Sequence, residues 1–267
     1  MLQLRDVTFD YGRDTILERI DLDVPRGEFV SLLGPSGSGK TTLLRLVAGL
    51  ARPSRGVVRW DGEIVTAPSL RRAIVFQDYA LFPWMSLRAN VELAVRKASP
   101  ALGRRERRDL AEGFLAMVGL EGAGAKHPHE LSGGMRQRGA IARAFALGPD
   151  LLLLDEPFGA LDPVNRARLQ DLLLEVWSAG SPRKTILLVT HDVDEALLLG
   201  SRVVVLGSAP GRVIADLPVP FAHPRSRRDL FASPEYGAVE ERIAALYRHD
   251  VVERMGAPDV ATPADRI

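Results

Sequence analysis

The stretch Gly34-Pro35-Ser36-Gly37-Ser38-Gly39-Lys40-Thr41-Thr42 decides the fold of this 267-residue chain. It fits the pattern G-x-x-x-x-G-K-[ST], in which glycines let main-chain N–H groups turn toward a phosphate chain. The helix that follows contributes the positive end of its dipole, and Lys40 adds a full charge. The Thr41 hydroxyl is then placed to hold Mg²⁺. The stretch therefore predicts a phosphate-binding loop, the P-loop, for a nucleotide.

The sequence on either side supplies the strand and helix that a P-loop requires. Phe29 to Leu33 is an apolar run that predicts a strand. Thr41 to Leu50 carries apolar residues at the i, i+3, i+4 and i+7 spacing of a helix. The alternative, a glycine turn before an ordinary helix, is disfavoured by this context.

Length and composition limit the possible functions. The length is near the upper size for one hydrophobic core, so we expect one domain, with room for a subdomain. With 35 basic and 34 acidic residues, the charge does not indicate a nucleic-acid partner. The chain has no cysteine, which excludes disulfides, thiolate metal sites and cysteine nucleophiles. It also has no apolar signal segment at its start and no 18-residue apolar run, so we expect a cytosolic protein whose membrane role, if any, requires a partner.

Alternating patterns before and after the P-loop predict antiparallel strands. Residues 2–24 alternate around a turn at Tyr11-Gly12-Arg13-Asp14, which predicts a hairpin. Further short strands are predicted at Val57 to Trp60 and Ala73 to Phe76, with a hairpin turn at Asp61-Gly62.

The second half of the chain predicts helices and then buried strands. Residues 86–147 hold amphipathic segments, including Leu87 to Val95 and Leu110 to Val118, and predict a helical subdomain inserted into the sheet domain. A mainly parallel sheet is predicted from strand and helix in alternation, at Leu151 to Leu154, Pro163 to Trp177, Thr185 to Thr190 and Arg202 to Leu206.

The composition shifts after Pro218 to proline, arginine and charge. A helix is predicted at Tyr236 to Val251, followed by a frayed end after Gly256. We therefore assign residues 1–220 to the main domain and residues 221–267 to a short C-terminal helical tail.

Two carboxylates, Asp155 and Glu156, stand where a buried strand ends. Beside a P-loop, the first acid can hold Mg²⁺ through its water shell and the second can act as base for an attacking water. Two solvated charges after a core strand are the alternative, and the P-loop disfavours it.

A second glycine-containing helix start is found at Leu131-Ser132-Gly133-Gly134-Met135, the signature segment, just before the predicted helix Arg136 to Leu147. Free N–H groups and a serine hydroxyl at a helix N-terminus predict a second anion site. One chain with two phosphate sites, roughly ninety residues apart, requires an explanation.

With both motifs present in this order, the chain resembles the ATP-binding cassette family, whose signature begins Leu-Ser-Gly-Gly. The resemblance covers nearly the whole chain up to about Gly211. It implies an α/β P-loop NTPase fold of the cassette type, with a mainly parallel sheet, an antiparallel β subdomain and an inserted helical subdomain. It also implies ATP hydrolysis with Mg²⁺.

The same resemblance implies roles for four more residues. Tyr11 matches the family's base-stacking aromatic, and Gln77 matches its metal-sensing and coupling glutamine. Asp162 ends the dimer-contact loop that begins at Ala160, and His191 matches the histidine that contacts the γ-phosphate. Taken alone, Tyr11 reads as a packed turn residue and His191 as an ordinary strand-end residue.

In this family two cassettes pair head to tail, which would explain the two anion sites. Ser132 and Gly134 of one copy would then close on the ATP held by Lys40 of the other, so a homodimer is expected. Met135 departs from the glutamine of many members, and Gly139 lies inside a helix, where glycine costs about 1 kcal/mol relative to alanine. Both departures leave the strength of dimerisation open.

Finer similarity points to the importer branch that serves nitrate, sulfonate, taurine and related small solutes. It rests on residues 76–84, residues 209–213 and His223-Pro224-Arg225. It implies an integral membrane permease, a periplasmic or extracellular solute-binding protein that acts indirectly, and a place on the cytoplasmic face of the membrane. The alternatives are an exporter subunit and a non-transport cassette that acts on nucleic acid or ribosomes.

Two surface features have competing interpretations. The arginine-rich runs at 104–108 and 225–228 are interpreted as solvated helix faces and not as a nucleic-acid surface. Leu81, Phe82 and Trp84 form either an apolar groove for the membrane partner or part of the packing of the helical subdomain.

Overall fold

The carboxyl ends of a six-stranded sheet carry the P-loop and the residues that surround it. The computed structural model describes residues 1–179, 183–223, 225 and 227–256. The sheet has the order β10-β9-β3-β8-β7-β6 and is parallel except for β10, which pairs antiparallel with β9. Its strands are β3 (Phe29–Leu33), β6 (Arg72–Val75), β7 (Leu151–Asp155), β8 (Thr185–Thr190), β9 (Arg202–Leu206) and β10 (Val213–Pro218). The predicted mainly parallel sheet is confirmed, and β10 was not predicted.

A second, antiparallel sheet contains the N-terminal hairpin. Its order is β2-β1-β4-β5. Its strands are β1 (Leu2–Tyr11), β2 (Asp14–Val24), β4 (Arg55–Trp60) and β5 (Glu63–Ile64). Tyr11 pairs with Asp14 across the predicted turn, and the predicted turn at Asp61-Gly62 joins β4 to β5. The predicted antiparallel subdomain is therefore confirmed.

The predicted helical insertion lies between β6 and β7. It contains α2 (Leu87–Ala98), α3 (Arg104–Met117), a short 3₁₀ helix (Pro128–Glu130) and α4 (Gly133–Leu147). The remaining helices are α1 (Lys40–Ala48), α5 (Pro163–Ser178), α6 (Val193–Leu199), α7 (Arg227–Ala232) and α8 (Pro234–Gly256).

Two predicted helix starts in the helical insertion were too late. The start of α3 is at Arg104 and not at Leu110, because the Glu106 carboxylate accepts from the Gly103 N–H at 2.6 Å and caps the first turn. The start of α4 is at Gly133 and not at Arg136, because the Ser132 hydroxyl accepts from the Met135 N–H at 3.2 Å. The tail forms two helices, α7 and α8, where only one was predicted.

The central strands are buried on both faces, as their apolar runs indicate. Leu152 and Leu154 of β7 pack with the helical insertion and α5. Leu151 and Leu153 point to the opposite face and pack with α1 and the antiparallel sheet. Because side chains alternate along β7, one face of this strand packs against α1, which follows the P-loop, and the other face packs against the helical insertion.

Gly139, noted above as a departure, lies on α4 against the Leu87 side chain of α2. A Cβ at this position would lie 2.5 Å from Leu87 Cδ1. The missing side chain therefore allows the two helices to pack closely, which offsets the intrinsic cost of glycine in a helix.

The tail packs on the main sheet in the part that the structure describes. Ile243 of α8 is 1% exposed and contacts an apolar cluster on β9 and β10. The division of the chain at residue 220 remains a prediction, and residues 257–267 lie outside the described residues. Within the described ranges, no helix is both long and apolar enough to cross a membrane.

The interpretation of residues 225–228 as a solvated face was wrong for Arg225. Its guanidinium donates to the Gly200 carbonyl at 2.7 Å and also to the Leu197 and Leu198 carbonyls near the end of α6. Burial lowers the pKa of Arg225 to about 10. Pro224 and Ser226, in the same stretch, lie outside the described residues.

Candidate nucleotide site

The P-loop connects β3 to α1 and leaves the start of α1 without a side-chain cap. Gly39 is the N-cap residue, with a φ of 86° that is readily available only to glycine. The first N–H groups of a helix have no partner within that helix. The uncapped start of α1 can therefore donate to an anion, as the motif predicts.

A cavity of about 440 Å³ opens at this point. It brings together most of the predicted site residues from five separate parts of the chain. Its lining consists of Tyr11, Ile16, Ser36, Gly37, Gly39, Lys40, Thr41, Thr42, Gln77, Glu156 and His191. The predicted residues Gly34, Pro35, Ser38 and Asp155 are not part of this lining and lie in the P-loop and at the end of β7.

The Lys40 side chain is only 6% exposed and lies against the backbone of the P-loop. Its Nζ donates to the Gly34 carbonyl at 2.7 Å and to the Pro35 carbonyl at 2.8 Å. Burial lowers the pKa of Lys40, while the charges of Glu156 and Asp155 oppose that shift. A polyphosphate would add further negative charge beside the ammonium group and favour its protonated form.

Asp155 and Thr41 form an oxygen-rich corner next to the P-loop. Thr41 Oγ1 donates to Asp155 Oδ1 at 3.1 Å, and the carboxylate is 2% exposed. Burial raises the pKa of Asp155, and the Thr41 hydrogen bond only partly opposes this. A divalent cation would favour the ionised carboxylate, so the corner fits Mg²⁺.

The corner does not provide a metal cage on its own. Among the described residues there is no group of three or more His, Cys, Asp or Glu side chains that could hold a metal ion. Mg²⁺ is usually held by one or two carboxylates together with substrate phosphates and water, which is what this corner can offer.

Glu156 and His191 approach each other across the end of the sheet. His191 Nδ1 lies 3.1 Å from Glu156 Oε1. Glu156 has a φ of 45°, in the left-handed region, and its N–H donates to the Val189 carbonyl at 3.0 Å. This backbone conformation is uncommon for a residue with a side chain, and it turns Glu156 out of the strand toward the cavity.

Tyr11 and Gln77 lie on the open sides of the cavity. Tyr11 is 52% exposed, and its ring stands edge-on to that of Phe9 with centroids 4.8 Å apart. One ring face is therefore accessible, as base stacking requires. Gln77 is exposed just beyond β6. Their predicted contacts with base and metal remain predictions.

The signature segment and Asp162 lie outside the cavity lining. Ser132 is exposed at the start of α4, and a Cβ on Gly134 would lie 3.2 Å from the Ala160 carbonyl. Asp162 caps α5 by accepting from the N–H groups of Val164 and Asn165, both at 3.1 Å, and hydrogen bonds from Asn165 lower its pKa. The structure thus brings the signature segment and the predicted dimer-contact loop together, away from Lys40.

Sequence reasoning missed three supporting residues. Ile16 of β2 lines the cavity beside Tyr11. Gln137 is 1% exposed and lies 3.4 Å from the Glu156 carbonyl, to which its amide donates. Glu195, also buried, accepts from Thr190 Oγ1 at 2.8 Å directly before His191. Of these three residues, only Gln137 could have been noticed in the sequence, as a single polar residue on the apolar side of α4.

Comparison with known proteins finds relatives that match most of the chain. The family model described as "ABC transporter" matches residues 17–159. The taurine import ATP-binding protein TauB of Sinorhizobium fredii is 53% identical over 90% of this chain and 88% of its own length. The nitrate import ATP-binding protein NrtD of Synechococcus elongatus is 45% identical over 89% of this chain and 86% of its own length.

Solved structures share the fold. A dimeric structure of MJ0796, described as a bacterial ABC transporter cassette, is 34% identical, with a TM-score of 0.76. A dimeric post-hydrolysis state of the same cassette, bound to ADP and Pi, is 33% identical, with a TM-score of 0.75. Each alignment covers 83% of this chain and 100% of the solved one.

Proposed function

The chain belongs to the ATP-binding cassette transporter family, and we propose that it is the ATP-hydrolysing subunit of an importer for a small solute. The predicted cassette-type P-loop fold is confirmed by the solved cassettes that it matches. Similarity to import proteins for taurine and nitrate supports the importer class. The solute is proposed only as a class, a small anion or sulfonate of the kind those names describe.

One observation carries the proposal. A phosphate-binding helix start, a buried lysine, a hydroxyl–carboxylate corner and a glutamate–histidine pair all meet at a single cavity. Each group has a separate task in phosphoryl transfer to water, and together they supply charge, metal ligands and a base.

The P-loop and Lys40 would bind the phosphate chain of ATP. The N–H groups at the start of α1 would donate to the phosphate oxygens, and the Lys40 ammonium group would neutralise negative charge on the β- and γ-phosphates. Thr41 and Asp155 would hold Mg²⁺, with Gln77 proposed beside them. When bound, Mg²⁺ neutralises charge that builds up on the phosphate oxygens during transfer.

Glu156 is proposed as the general base. Its carboxylate accepts a proton from the water that attacks the γ-phosphorus, while the bond from that phosphorus to the ADP oxygen breaks. His191, whose Nδ1 lies 3.1 Å from Glu156 Oε1, is proposed to orient the carboxylate and to contact the γ-phosphate. The Gln137 amide, bonded to the Glu156 carbonyl, fixes the turn that carries the base.

A second copy of the chain is proposed to complete the site. Ser132 Oγ accepts from Met135 N–H, so its own O–H remains available to donate to a phosphate oxygen. Because the signature segment lies outside the cavity of its own chain, we propose that Ser132, Gly133 and Gly134 close on the ATP of the partner. Asp162 would lie at the same interface. The dimeric MJ0796 structures support the pairing of two copies.

The permease is proposed to contact the segment after Gln77. Leu81 packs into the apolar core of the helical insertion. Trp84, in contrast, is 74% exposed, with its ring 5.4 Å from that of Phe82. The packing interpretation therefore applies to Leu81, and the groove stays a proposal for Phe82 and Trp84 alone.

The proposal is tested by purification of the tagged chain from native membranes. We expect a stoichiometric integral membrane protein and Mg²⁺-dependent ATPase activity, with a solute-binding protein recovered only in the presence of that partner. Recovery with ribosomes or nucleic acid would instead support a non-transport cassette. Transport of a solute in the export direction, measured in membrane vesicles, would support an exporter.

A further inference from the structure

The turn between β9 and β10, residues 207–212, lies between the nucleotide cavity and the C-terminal helix α8. The Gly207 N–H donates to the Arg212 carbonyl at 3.0 Å and closes the turn. Gly211 donates to the Ile16 carbonyl at 2.8 Å and accepts from the Glu18 N–H at 2.9 Å. Because Ile16 lines the cavity, this 207–212 turn is bonded directly to one cavity wall.

The same turn touches the P-loop backbone. A Cβ on Gly211 would lie 2.0 Å from the Ser38 carbonyl oxygen and 3.2 Å from Leu17 Cδ2. Only a residue without a side chain allows this approach. A shift of the 207–212 turn would therefore displace the P-loop, Ile16 or both, since closely packed groups transmit displacement.

Asp250 of α8 holds the turn from the opposite side. This carboxylate is 8% exposed, and its Oδ2 accepts from the Ser208 N–H at 2.8 Å and from Ser208 Oγ at 3.0 Å. A Cβ on Gly207 would lie 2.6 Å from Asp250 Oδ1, so the carboxylate packs against the turn as well. A buried carboxylate is costly without such hydrogen bonds, and these bonds fix the position of both partners.

We propose that Asp250 is a positioning residue for ATP binding, and that the tail helix α8 supports the nucleotide site through the 207–212 turn. This inference rests on the proposed function. On this proposal, the C-terminal tail contributes to ATP binding, although residues 1–220 contain all the residues of the nucleotide site. Asp250 acts through Ser208 and Gly211 and makes no contact with the nucleotide.

The test measures ATP affinity and turnover separately in the full-length chain. With a fluorescent ATP analogue, Asp250→Ala should raise the dissociation constant roughly tenfold, because hydrogen bonds to a charged group are lost. The kcat at saturating ATP should stay within about twofold, as expected when binding is lost uniformly. Asp250→Asn keeps an acceptor oxygen for Ser208 and should restore most of the affinity.

A matched control lies on the same helix. Glu241 is exposed, and its carboxylate pairs with Arg248 at 2.5 Å, away from the 207–212 turn. Glu241→Ala should leave both the dissociation constant and kcat unchanged. An equal loss of affinity in Glu241→Ala would show a general effect of α8 and overturn the assignment to Asp250.

A double-mutant cycle of Gly207 and Asp250 measures their coupling in ATP binding, which simple destabilisation of the fold would not produce. Gly207→Ala alone places a methyl group against Asp250 Oδ1 and should weaken ATP binding. Combined with Asp250→Ala, the same methyl group meets open space, so its additional effect on the dissociation constant should largely disappear. Additive effects would contradict contact through the turn.

The outcomes separate this inference from the proposed function. Wild-type protein that binds no ATP would refute the proposed function. Wild-type protein that binds ATP, with Asp250→Ala binding equally well at a lower melting temperature, would refute only the positioning role. Should Asp250→Ala fail to fold, Ser208→Ala removes one of the two donors. It should then raise the dissociation constant roughly threefold, and no change would overturn the proposal.

Discussion

The helices α1 and α4 both begin at glycines, where main-chain N–H groups and a nearby hydroxyl can donate to an anion, yet their surroundings differ. The start of α1 has no side-chain cap and opens into the cavity with Lys40, Glu156 and His191. The start of α4 is capped by its own Ser132, outside that cavity. The first region brings together an ammonium group, a carboxylate and an imidazole, whereas the second offers only hydrogen-bond donors.

This difference is the reason for our proposal that the two regions are halves of one site. Helix dipoles and N–H donors hold an anion, but they provide neither a base nor a metal ligand. In our proposal, the signature segment therefore acts on a phosphate that the P-loop of the other copy holds. The following changes separate the two regions, from the largest expected effect to the smallest.

Glu156→Gln should give the largest change. The amide keeps the size of the carboxylate but cannot accept the proton, so hydrolysis should fall by roughly 10² to 10⁴, or about 3 to 5 kcal/mol of barrier. ATP should still bind, and the closed dimer should accumulate on gel filtration with Mg-ATP. Glu121→Gln, at an exposed position, is the matched control. Wild-type turnover in a monomeric Glu156→Gln protein would rule out this base.

Lys40→Ala should remove the advantage that the P-loop has over the signature segment in binding phosphate. Without the ammonium group, the phosphate chain loses its main counter-charge, and ATP affinity should fall roughly 10- to 100-fold. Equilibrium binding of a fluorescent ATP analogue measures this loss directly. The exposed Lys97→Ala serves as control and should bind normally. Unchanged affinity in Lys40→Ala would place the phosphates elsewhere.

Asp155→Asn should separate metal use from stability. Burial raises the pKa of Asp155, so the ionised carboxylate is disfavoured in the fold relative to the unfolded chain. The resulting penalty is absent below the unfolded pKa of about 4 and grows as the pH rises toward the folded pKa. At neutral pH, without Mg²⁺ or nucleotide, Asn should raise the melting temperature by about 2–4 °C.

The same variant should show weakened Mg²⁺-dependent ATPase activity and no stable closed dimer. The stability gain should shrink as the pH is lowered toward 4 in a thermal unfolding series. A melting temperature below that of the wild type at every pH would show that the carboxylate stabilises the fold and does not strain it.

Trp84→Ser should have the smallest effect on the isolated chain. Its ring is 74% exposed, so ATPase activity of the purified subunit should stay unchanged, while binding to the membrane partner weakens by roughly tenfold. Leu70→Ser, at another exposed apolar position, is the control. Partner binding at the wild-type level in a folded Phe82→Ser and Trp84→Ser double variant would remove the proposed groove.

Much of the fold could be predicted because local patterns and tertiary structure agree. Thr185–Thr190 and Arg202–Leu206 are uninterrupted apolar strands, and the structure has them with the predicted bounds. In contrast, β10 and α6 are short and were missed. The Asp192 carboxylate caps α6, and β10 is defined by its pairing with β9, neither of which follows from periodicity.

The candidate site was predictable where a motif fixes both residue type and spacing. The P-loop, Asp155 and Glu156 are of this kind. The left-handed backbone of Glu156 and the support from Gln137 depend on contacts between distant segments, so the local sequence does not reveal them. The same is true of Asp250, which lies 42 residues from Ser208 in the chain.

The proposal that one site is built from two copies is tested most directly by cross-linking between the two regions. Because the chain has no cysteine, Ser36→Cys and Ser132→Cys can be introduced singly, each in a Glu156→Gln background. The two proteins are mixed and treated with a short bifunctional maleimide, with and without Mg-ATP. We expect a covalent dimer that requires both cysteines and ATP. Equal cross-linking without ATP, or none between folded, ATP-binding chains, would contradict a site shared by two copies.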